Sequence, residues 1–240
     1  MAERTREDPE FFTRRAKSQT PTFLFIGCSD SRVAAELLTG VQPGEMFVHR
    51  NVANIAASSD PNLLSVLQYA VDALRVKSIV VCGHYGCVGV KAAMADETHG
   101  LVDHWLGGVR AVMRLHDDSL GAIPDEERRY RRLVELNAAE QAYDLRRNPV
   151  VRGAWARGQP LSVHAMVYGL SDGLLHDLRV SCDETGVHDE HPGGARVGVG
   201  RDVTAARRDG VRRASPPPVR SRRRSSGTSS PSGGYRPRGR

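Results

Sequence analysis

Long apolar runs are missing from this chain of 240 residues. No stretch approaches the ~20 consecutive apolar residues that a membrane-spanning helix needs, so we expect no membrane partner. The N-terminal segment, MAERTREDPEFF, is charged and lacks the apolar centre of a secretory signal. We therefore expect a cytoplasmic protein.

Cysteine is scarce as well, with four residues in the whole chain. Thiols stay reduced in a cytosol, which argues against a disulfide framework. Four cysteines in such a protein point to metal binding or catalysis. The residues around each cysteine indicate which of them serve that purpose.

Acidic residues become rare toward the C-terminus. Residues 183–240 contain 13 arginines and six acidic residues, so the preceding 182 residues carry a net charge near −1, although the whole chain carries +6. This last stretch is rich in Gly, Ser, Pro and Arg and has little periodicity, which is typical of disorder. We predict a folded domain over 1–182 and a disordered tail over 183–240.

Nucleic acid is a candidate partner only through this tail, where Arg222, Arg223 and Arg224 follow one another. Clustered arginines neutralise the phosphates of a nucleic acid backbone. A solvated extension without function is the simpler interpretation of the same composition.

Apolar strand patterns alternate with helical patterns through the first 182 residues. The predicted strands are 23–27, 45–50, 77–83 and 161–168, with 178–181 left open as a fifth, edge strand. Helices are predicted between them, and 61–75 is the clearest because an Asp-Pro cap precedes leucines at helical spacing. The alternation predicts an α/β fold with a central, mostly parallel four-stranded sheet and helices on its faces.

Reactive side chains follow two of the predicted strands. Cys28-x-Asp30 comes after the first strand and His84-x-x-Cys87 after the third. The carboxyl ends of neighbouring parallel strands meet at one edge of a sheet, so the two groups should lie close together. Two thiolates, an imidazole and a carboxylate suit tetrahedral Zn²⁺. For each residue alone a packed or surface position is the simpler interpretation, but the set at two strand ends favours zinc.

A charge pair is expected beside this metal site. The planar fork of the Arg32 guanidinium matches the carboxylate of Asp30, two residues away. An ordinary surface salt bridge is the alternative. The adjacent metal ligand favours a catalytic role, in which a held carboxylate orients the nucleophile.

Three motifs in order carry a family resemblance: GCSDSR at 27–32, HRNVAN at 49–54 and GHYGC at 83–87. Together they resemble the β-class carbonic anhydrases, particularly bacterial ones, and the likeness covers about residues 8–182. The resemblance implies sheet order 2-1-3-4, reversible hydration of carbon dioxide to bicarbonate and a proton, and a homodimer or homotetramer. It also implies one zinc per chain on Cys28, His84 and Cys87, with Asp30 either as fourth ligand in a resting form or released to pair with Arg32.

The resemblance further implies a carbon dioxide pocket that includes Gln19, Phe47, Val52 and Tyr69, supplied in part by a neighbouring subunit. On the sequence alone, a place in the core is the simpler interpretation of Phe47 and Tyr69. The sequence departs from the family at Val88, because a glycine usually follows the last zinc cysteine. The backbone N–H at this position can still donate, and the valine side chain is expected to narrow the pocket.

A regulatory bicarbonate site is a second implication of the resemblance. Bacterial relatives build it from a tryptophan, an arginine and a tyrosine. The arginine corresponds to Arg50 and the tyrosine to Tyr168, but Phe25 stands at the tryptophan position. Phenylalanine has no N–H donor, so weak binding of bicarbonate is expected.

Two other functions stay open. The same scaffold could hydrolyse a related small molecule such as carbon disulfide. A nucleic-acid-binding protein with structural zinc is the non-enzymatic alternative, and the presence of Asp30 and Arg32 argues against it.

Overall fold

A six-stranded sheet in the order β2-β1-β3-β4-β5-β6 is the centre of the fold. The computed structural model describes residues 6, 8–95, 97, 98 and 100–189. The strands are β1 (Phe23–Cys28), β2 (Met46–Asn51), β3 (Ser78–His84), β4 (Ser162–Tyr168), β5 (Leu175–Asp183) and β6 (Gly186–Asp189).

Helices connect the strands, and some of them begin at a side-chain cap. Asp60 caps one helix by accepting from the amide of Asn62, and Asp125 caps the longest helix by accepting from the amide of Arg128. The described helices are α1 (Phe11–Lys17), α2 (Ala35–Thr39), α3 (Pro61–Gln68), α4 (Val88–Met94), α5 (Leu101–Trp105), α6 (Gly107–Leu115), α7 (Asp117–Gly121), α8 (Glu126–Arg147) and α9 (Pro149–Ala156). A 3₁₀ turn covers Val52–Asn54, and a π-helical turn over Tyr69–Ala73 ends the helix that was predicted as one element over 61–75.

The predicted sheet order 2-1-3-4 is confirmed. Strand β1 pairs in parallel with β2 and β3, and β3 pairs in parallel with β4. The fifth strand that the sequence left open is real and longer than 178–181. It pairs antiparallel with β4, as expected for a strand that follows β4 through a short loop.

The domain boundary predicted at residue 182 is too early. Strand β5 continues to Asp183, and Gly186–Asp189 returns beside it as antiparallel β6. A four-residue edge strand has too few apolar positions to stand out against a polar, glycine-rich stretch, so composition alone missed it. The rest of the predicted tail, 190–240 with Arg222, Arg223 and Arg224, lies outside the described residues.

The two faces of the sheet are covered unequally. Helix α8 packs against β3, β4 and β5 on the face that holds the main core. On the other face, Phe25, Met46 and Cys82 form a small core beneath half-buried neighbours such as Val48. Among the described residues, no helix is long and apolar enough to cross a bilayer.

Candidate metal centre

The candidate site lies where β1 and β3 end side by side. Cys28 is the last residue of β1 and His84 the last of β3, while Cys87 immediately precedes α4. The two sulfurs lie 3.8 Å apart. The ligand atoms of all three residues lie within 4.8 Å of one another, and all three side chains are buried.

The geometry of this group fits a tetrahedral zinc ion. Two sulfurs bound at ~2.3 Å from a tetrahedral ion would lie ~3.8 Å apart, which matches the observed separation. The Nδ1 atom of His84 lies 3.1 Å from the carbonyl oxygen of Tyr85. A carbonyl only accepts, so Nδ1 carries the hydrogen and Nε2 keeps its lone pair. That Nε2 atom is buried and has no hydrogen-bond partner among the described residues, as expected of a metal ligand.

Backbone N–H groups converge on both sulfurs. The amides of Asp30 and Ala53 reach the sulfur of Cys28, and those of Gly89 and Val90 reach the sulfur of Cys87. The Cys87 thiol is the main group that lowers the pKa of Cys28, and donating that hydrogen bond raises the pKa of Cys87. A divalent cation held by Cys28 and Cys87 would allow both thiols to ionise.

The loop after β2 is shaped to deliver one of these amides. Ala53 and Asn54 have positive φ angles of 64° and 47°, an uncommon backbone conformation for such residues. The side-chain amide of Asn137 stabilises the turn by donating from Nδ2 to the carbonyl of Ala53 at 2.9 Å. Asn51 closes the loop through two hydrogen bonds to the backbone of Ile55, at 2.7 and 2.8 Å.

Asp30 and Arg32 form the expected pair. The guanidinium donates to both carboxylate oxygens, at 2.9 and 2.7 Å. These hydrogen bonds are the main reason that the pKa of Asp30 lies well below its usual value. The Oδ2 atom of Asp30 lies 3.8 Å from Nε2 of His84, so the carboxylate is beside the metal group while it is held by Arg32. Of the four metal ligands expected, three converge and Asp30 takes its alternative position.

The residues expected to form the substrate pocket do not all come together within one chain. Val52 directly follows Asn51, the last residue of β2, which pairs with Cys28. The Val52 side chain packs on Gly89, where an added Cβ would lie 2.8 Å from Cγ1 of Val52. Val88 begins α4 directly after Cys87 and is largely exposed. These two valines therefore flank the metal group of their own chain.

The other three pocket residues belong to the opposite end of the sheet. Phe47 pairs with Leu24, four positions before Cys28, which is a distance of ~13 Å along a strand. The Tyr69 ring lies 5.8 Å from that of Phe47 and is half exposed. Gln19 is exposed in the segment that leads into the start of β1.

The three residues of the expected regulatory site lie on strands β1, β2 and β4, and β3 separates β4 from β1. Phe25 is fully buried, and its ring covers Gly27 so closely that a Cβ there would overlap it. Arg50 donates to the carbonyl oxygens of Cys28 at 2.8 Å and Asp30 at 2.6 Å. Tyr168, at the end of β4, packs against the same small core as Phe25.

Sequence reasoning missed a group on helix α8 that contacts the ligand loop. The Tyr130 hydroxyl donates to the carbonyl of Cys87, and the Tyr85 hydroxyl donates to the buried carboxylate of Glu135. Burial is the main reason that the pKa values of both tyrosines are raised, so both hydroxyls remain donors. A glutamate among the apolar residues of a predicted helix was the only signal in the sequence.

Known proteins share this fold and sequence. A family model described as carbonic anhydrase matches residues 23–175. A carbonic anhydrase of Emericella nidulans is 46% identical over 180 residues, which are 75% of this chain and 79% of that protein. One from Pseudomonas aeruginosa is 36% identical over 178 residues, 70% of this chain and 78% of that protein.

Solved structures agree with the sequence comparison. A β-carbonic anhydrase of Coccomyxa, in complex with acetazolamide, has a TM-score of 0.72 and 40% identity over 75% of this chain and 81% of its own. A β-carbonic anhydrase of Sordaria macrospora, described as tetrameric, has a TM-score of 0.71 and 39% identity over 75% of this chain and 91% of its own. The sequence motifs, the sheet and these relatives agree, and this chain belongs to the β-class carbonic anhydrase family.

Proposed function

We propose that this protein catalyses the reversible hydration of carbon dioxide to bicarbonate and a proton, with one zinc ion per chain. The observation that carries the proposal is the buried group of Cys28, His84 and Cys87 beside the Asp30–Arg32 pair. Membership of the carbonic anhydrase family supports the same reaction.

The chemistry divides between the metal and the charge pair. Zinc, when bound, is a Lewis acid that lowers the pKa of a coordinated water and so supplies a nucleophile near neutral pH. Asp30 stays ionised because Arg32 donates to both of its oxygens. The carboxylate lone pairs of Asp30 that Arg32 leaves unused accept a hydrogen bond from the attacking oxygen. This hydrogen bond orients the attacking oxygen so that its reactive lone pair faces the carbon of carbon dioxide.

We propose that a second copy of the chain completes the substrate pocket. Val52 and Val88 flank the metal group of their own chain, whereas Phe47, Tyr69 and Gln19 are near the opposite ends of the strands. One pocket that contains both sets therefore needs two subunits. The tetrameric relative from Sordaria supports a homo-oligomer, and a dimer or a tetramer meets this requirement.

We also propose that bicarbonate binds weakly beside Arg50 and Tyr168. The guanidinium of Arg50 provides positive charge at the end of β1, where it contacts the carbonyls of Cys28 and Asp30. Phe25 contributes an apolar ring and no N–H donor at the third position. The site is thereby short of one hydrogen bond to the anion.

We propose that the zinc domain includes strand β6 up to Asp189, beyond the boundary expected at residue 182. We place the protein in the cytoplasm, where its four free cysteines stay reduced. A relative from Arabidopsis is named mitochondrial, so cell fractionation is the measurement that tests this location.

The test of the proposed function combines zinc analysis with stopped-flow measurement of carbon dioxide hydration. The parent should contain one zinc per chain and accelerate hydration well above the buffer rate. Cys87→Ser should lose most of the zinc and the activity, because a soft ligand of the site is gone. Cys182→Ser, at another buried cysteine outside the metal group, is the matched control. A zinc-loaded parent that hydrates carbon dioxide no faster than buffer would refute the proposal.

A further inference from the structure

The short loop between His84 and Cys87 is anchored to helix α8 through the side chain of Tyr85. The Tyr85 hydroxyl donates to Oε1 of Glu135 at 2.7 Å. Glu135 is only 6% exposed, and its Oε2 atom lies 3.3 Å from Nη1 of Arg132. The guanidinium carbon of Arg131 sits 3.7 Å from the centre of the Tyr85 ring. The ring is therefore held at its edge and on its face by one helix.

Three consecutive carbonyl groups of the same loop each accept a hydrogen bond that orients part of the site. The carbonyl of Tyr85 accepts from Nδ1 of His84 at 3.1 Å. The carbonyl of Gly86 accepts from Nη2 of Arg32 at 3.0 Å. The carbonyl of Cys87 accepts from the Tyr130 hydroxyl at 2.8 Å. The first contact fixes the orientation of the His84 ring. The second fixes the guanidinium that holds Asp30, and the third fixes the backbone of Cys87.

These contacts connect the Tyr85–Glu135 hydrogen bond to the His84 ring and to the Asp30–Arg32 pair. Loss of the Tyr85 anchor would free the backbone at this residue to shift, and a shift there displaces the carbonyl that accepts from His84 and the next carbonyl, which accepts from Arg32. Gly86 has a φ of 75°, so the turn between the two carbonyls has a backbone shape that few other residues adopt. Metal ligation and the position of the charge pair are thus coupled through two neighbouring peptide groups.

We propose that Tyr85 and Glu135 are a positioning pair for the metal centre: their hydrogen bond fixes the His84 ring and, through Gly86, the Arg32 guanidinium. The proposal rests on the proposed zinc function. It assigns neither residue to the metal or to the substrate. Partners that orient a metal-binding histidine typically change metal affinity or activity by roughly 10- to 100-fold when they are removed.

Helix α8 offers a matched control for a purely structural role. Glu140, five residues after Glu135, also accepts a side-chain hydrogen bond, from Nε2 of His116 if that nitrogen carries the hydrogen, at 2.9 Å. Neither Glu140 nor His116 contacts the loop between His84 and Cys87 among the described hydrogen bonds. Glu140→Leu therefore tests loss of a carboxylate contact from the same helix without touching the anchor.

The experiment measures two properties that do not depend on turnover. The first is the visible absorption spectrum of the Co²⁺-substituted full-length protein, which reports the geometry of the metal ligands. The second is zinc affinity in competition with a chromogenic chelator. The variants are Tyr85→Phe, Glu135→Leu, Glu135→Gln and Glu140→Leu, each compared with the parent, and thermal unfolding confirms that each is folded.

Tyr85→Phe and Glu135→Leu are expected to shift the cobalt bands and to weaken zinc binding by about tenfold or more. Glu135→Gln keeps an oxygen that accepts from Tyr85, and it should stay close to the parent, as should Glu140→Leu. Unchanged spectra and affinity in Tyr85→Phe would overturn the inference, and so would equal losses in Glu135→Leu and Glu140→Leu. A parent that binds neither metal would instead refute the proposed zinc function itself. If Glu135→Leu does not fold, Tyr85→Phe, which removes one oxygen atom, decides the question alone.

Discussion

Arg32 holds the carboxylate of Asp30 through three N–H groups. Its backbone amide and Nε donate to Oδ1 at 2.9 Å, and Nη2 donates to Oδ2 at 2.7 Å. The same Nη2 donates to the carbonyl of Gly86 at 3.0 Å. None of these contacts involves the side chain of Cys28, His84 or Cys87, so removal of the guanidinium leaves those three ligand side chains in place.

Arg32→Ala is expected to keep one zinc per chain and to lose most of the carbon dioxide hydration rate. Asp30 would lose the guanidinium that fixes its carboxylate, and loss of such a partner typically costs roughly 10- to 100-fold in activity. Stopped-flow hydration rates and metal analysis of the same samples give both quantities. Arg110→Ala, which breaks a pair with Asp103 at 2.9 Å, is the control. Parent-level activity in Arg32→Ala would show that the pair has no role in turnover.

Mixed oligomers test whether two chains share one substrate pocket. Tyr69→Ala damages the proposed pocket and keeps the zinc ligands, whereas Cys87→Ser damages the zinc site and keeps the pocket. Each variant alone should be nearly inactive. Co-expressed chains should regain activity, because the zinc site of one chain then faces the intact pocket of the other. No recovery in verified mixed oligomers would mean that each chain builds its own pocket.

Phe25→Trp is expected to strengthen inhibition by bicarbonate. A hydrogen bond to a charged group contributes ~1.5–3 kcal/mol, which corresponds to about one to two orders of magnitude in affinity. Initial hydration rates should be measured against added bicarbonate at fixed pH and ionic strength. Phe25→Leu, which supplies no donor, controls for repacking of the small core around position 25. Tight inhibition of the parent, or equal inhibition of parent and Phe25→Trp, would contradict the expectation.

Truncation after strand β6 and truncation before it are expected to have different effects on stability. A chain that stops after Asp189 keeps both strands and should retain its melting temperature and hydration rate. A chain that stops after Cys182 loses β6, which pairs with the buried Val180 and Cys182, and should melt at a lower temperature. Differential scanning calorimetry of both chains compares them directly. Equal melting temperatures would show that β6 adds nothing to stability.

The role of the basic tail is tested with the chain that stops after Asp189. Without residues 190–240 it should lose most of its affinity for heparin, because the excess arginines lie in that segment. Undiminished heparin binding would place the affinity in the folded domain instead.

Local patterns were enough to predict the strands and the reactive ends of β1 and β3. Buried parallel strands are short apolar runs, and Cys28 and His84 directly follow such runs in the sequence. The resemblance supplied the strand order, which periodicity does not contain. These parts of the fold depend on neighbours in the sequence or on family motifs.

The features that were missed depend on residues far apart in the chain. Strand β6 forms because β5 offers it an edge, and four residues carry too little pattern to reveal that. The contact between Tyr85 and Glu135 joins residues 50 positions apart. The separation of Phe47 from Cys28 follows from the strand register, which becomes visible only when the sheet is assembled.

The three orienting contacts of the His84–Cys87 loop are made to backbone oxygens, and this has a consequence for insertions and deletions. One extra residue between His84 and Cys87 would move every carbonyl out of step with His84, Arg32 and Tyr130. Replacement of the Tyr85 side chain keeps the number of residues in the loop and removes only the anchor to Glu135. The length of this loop is therefore a constraint of its own, because a one-residue change displaces all three acceptors at once.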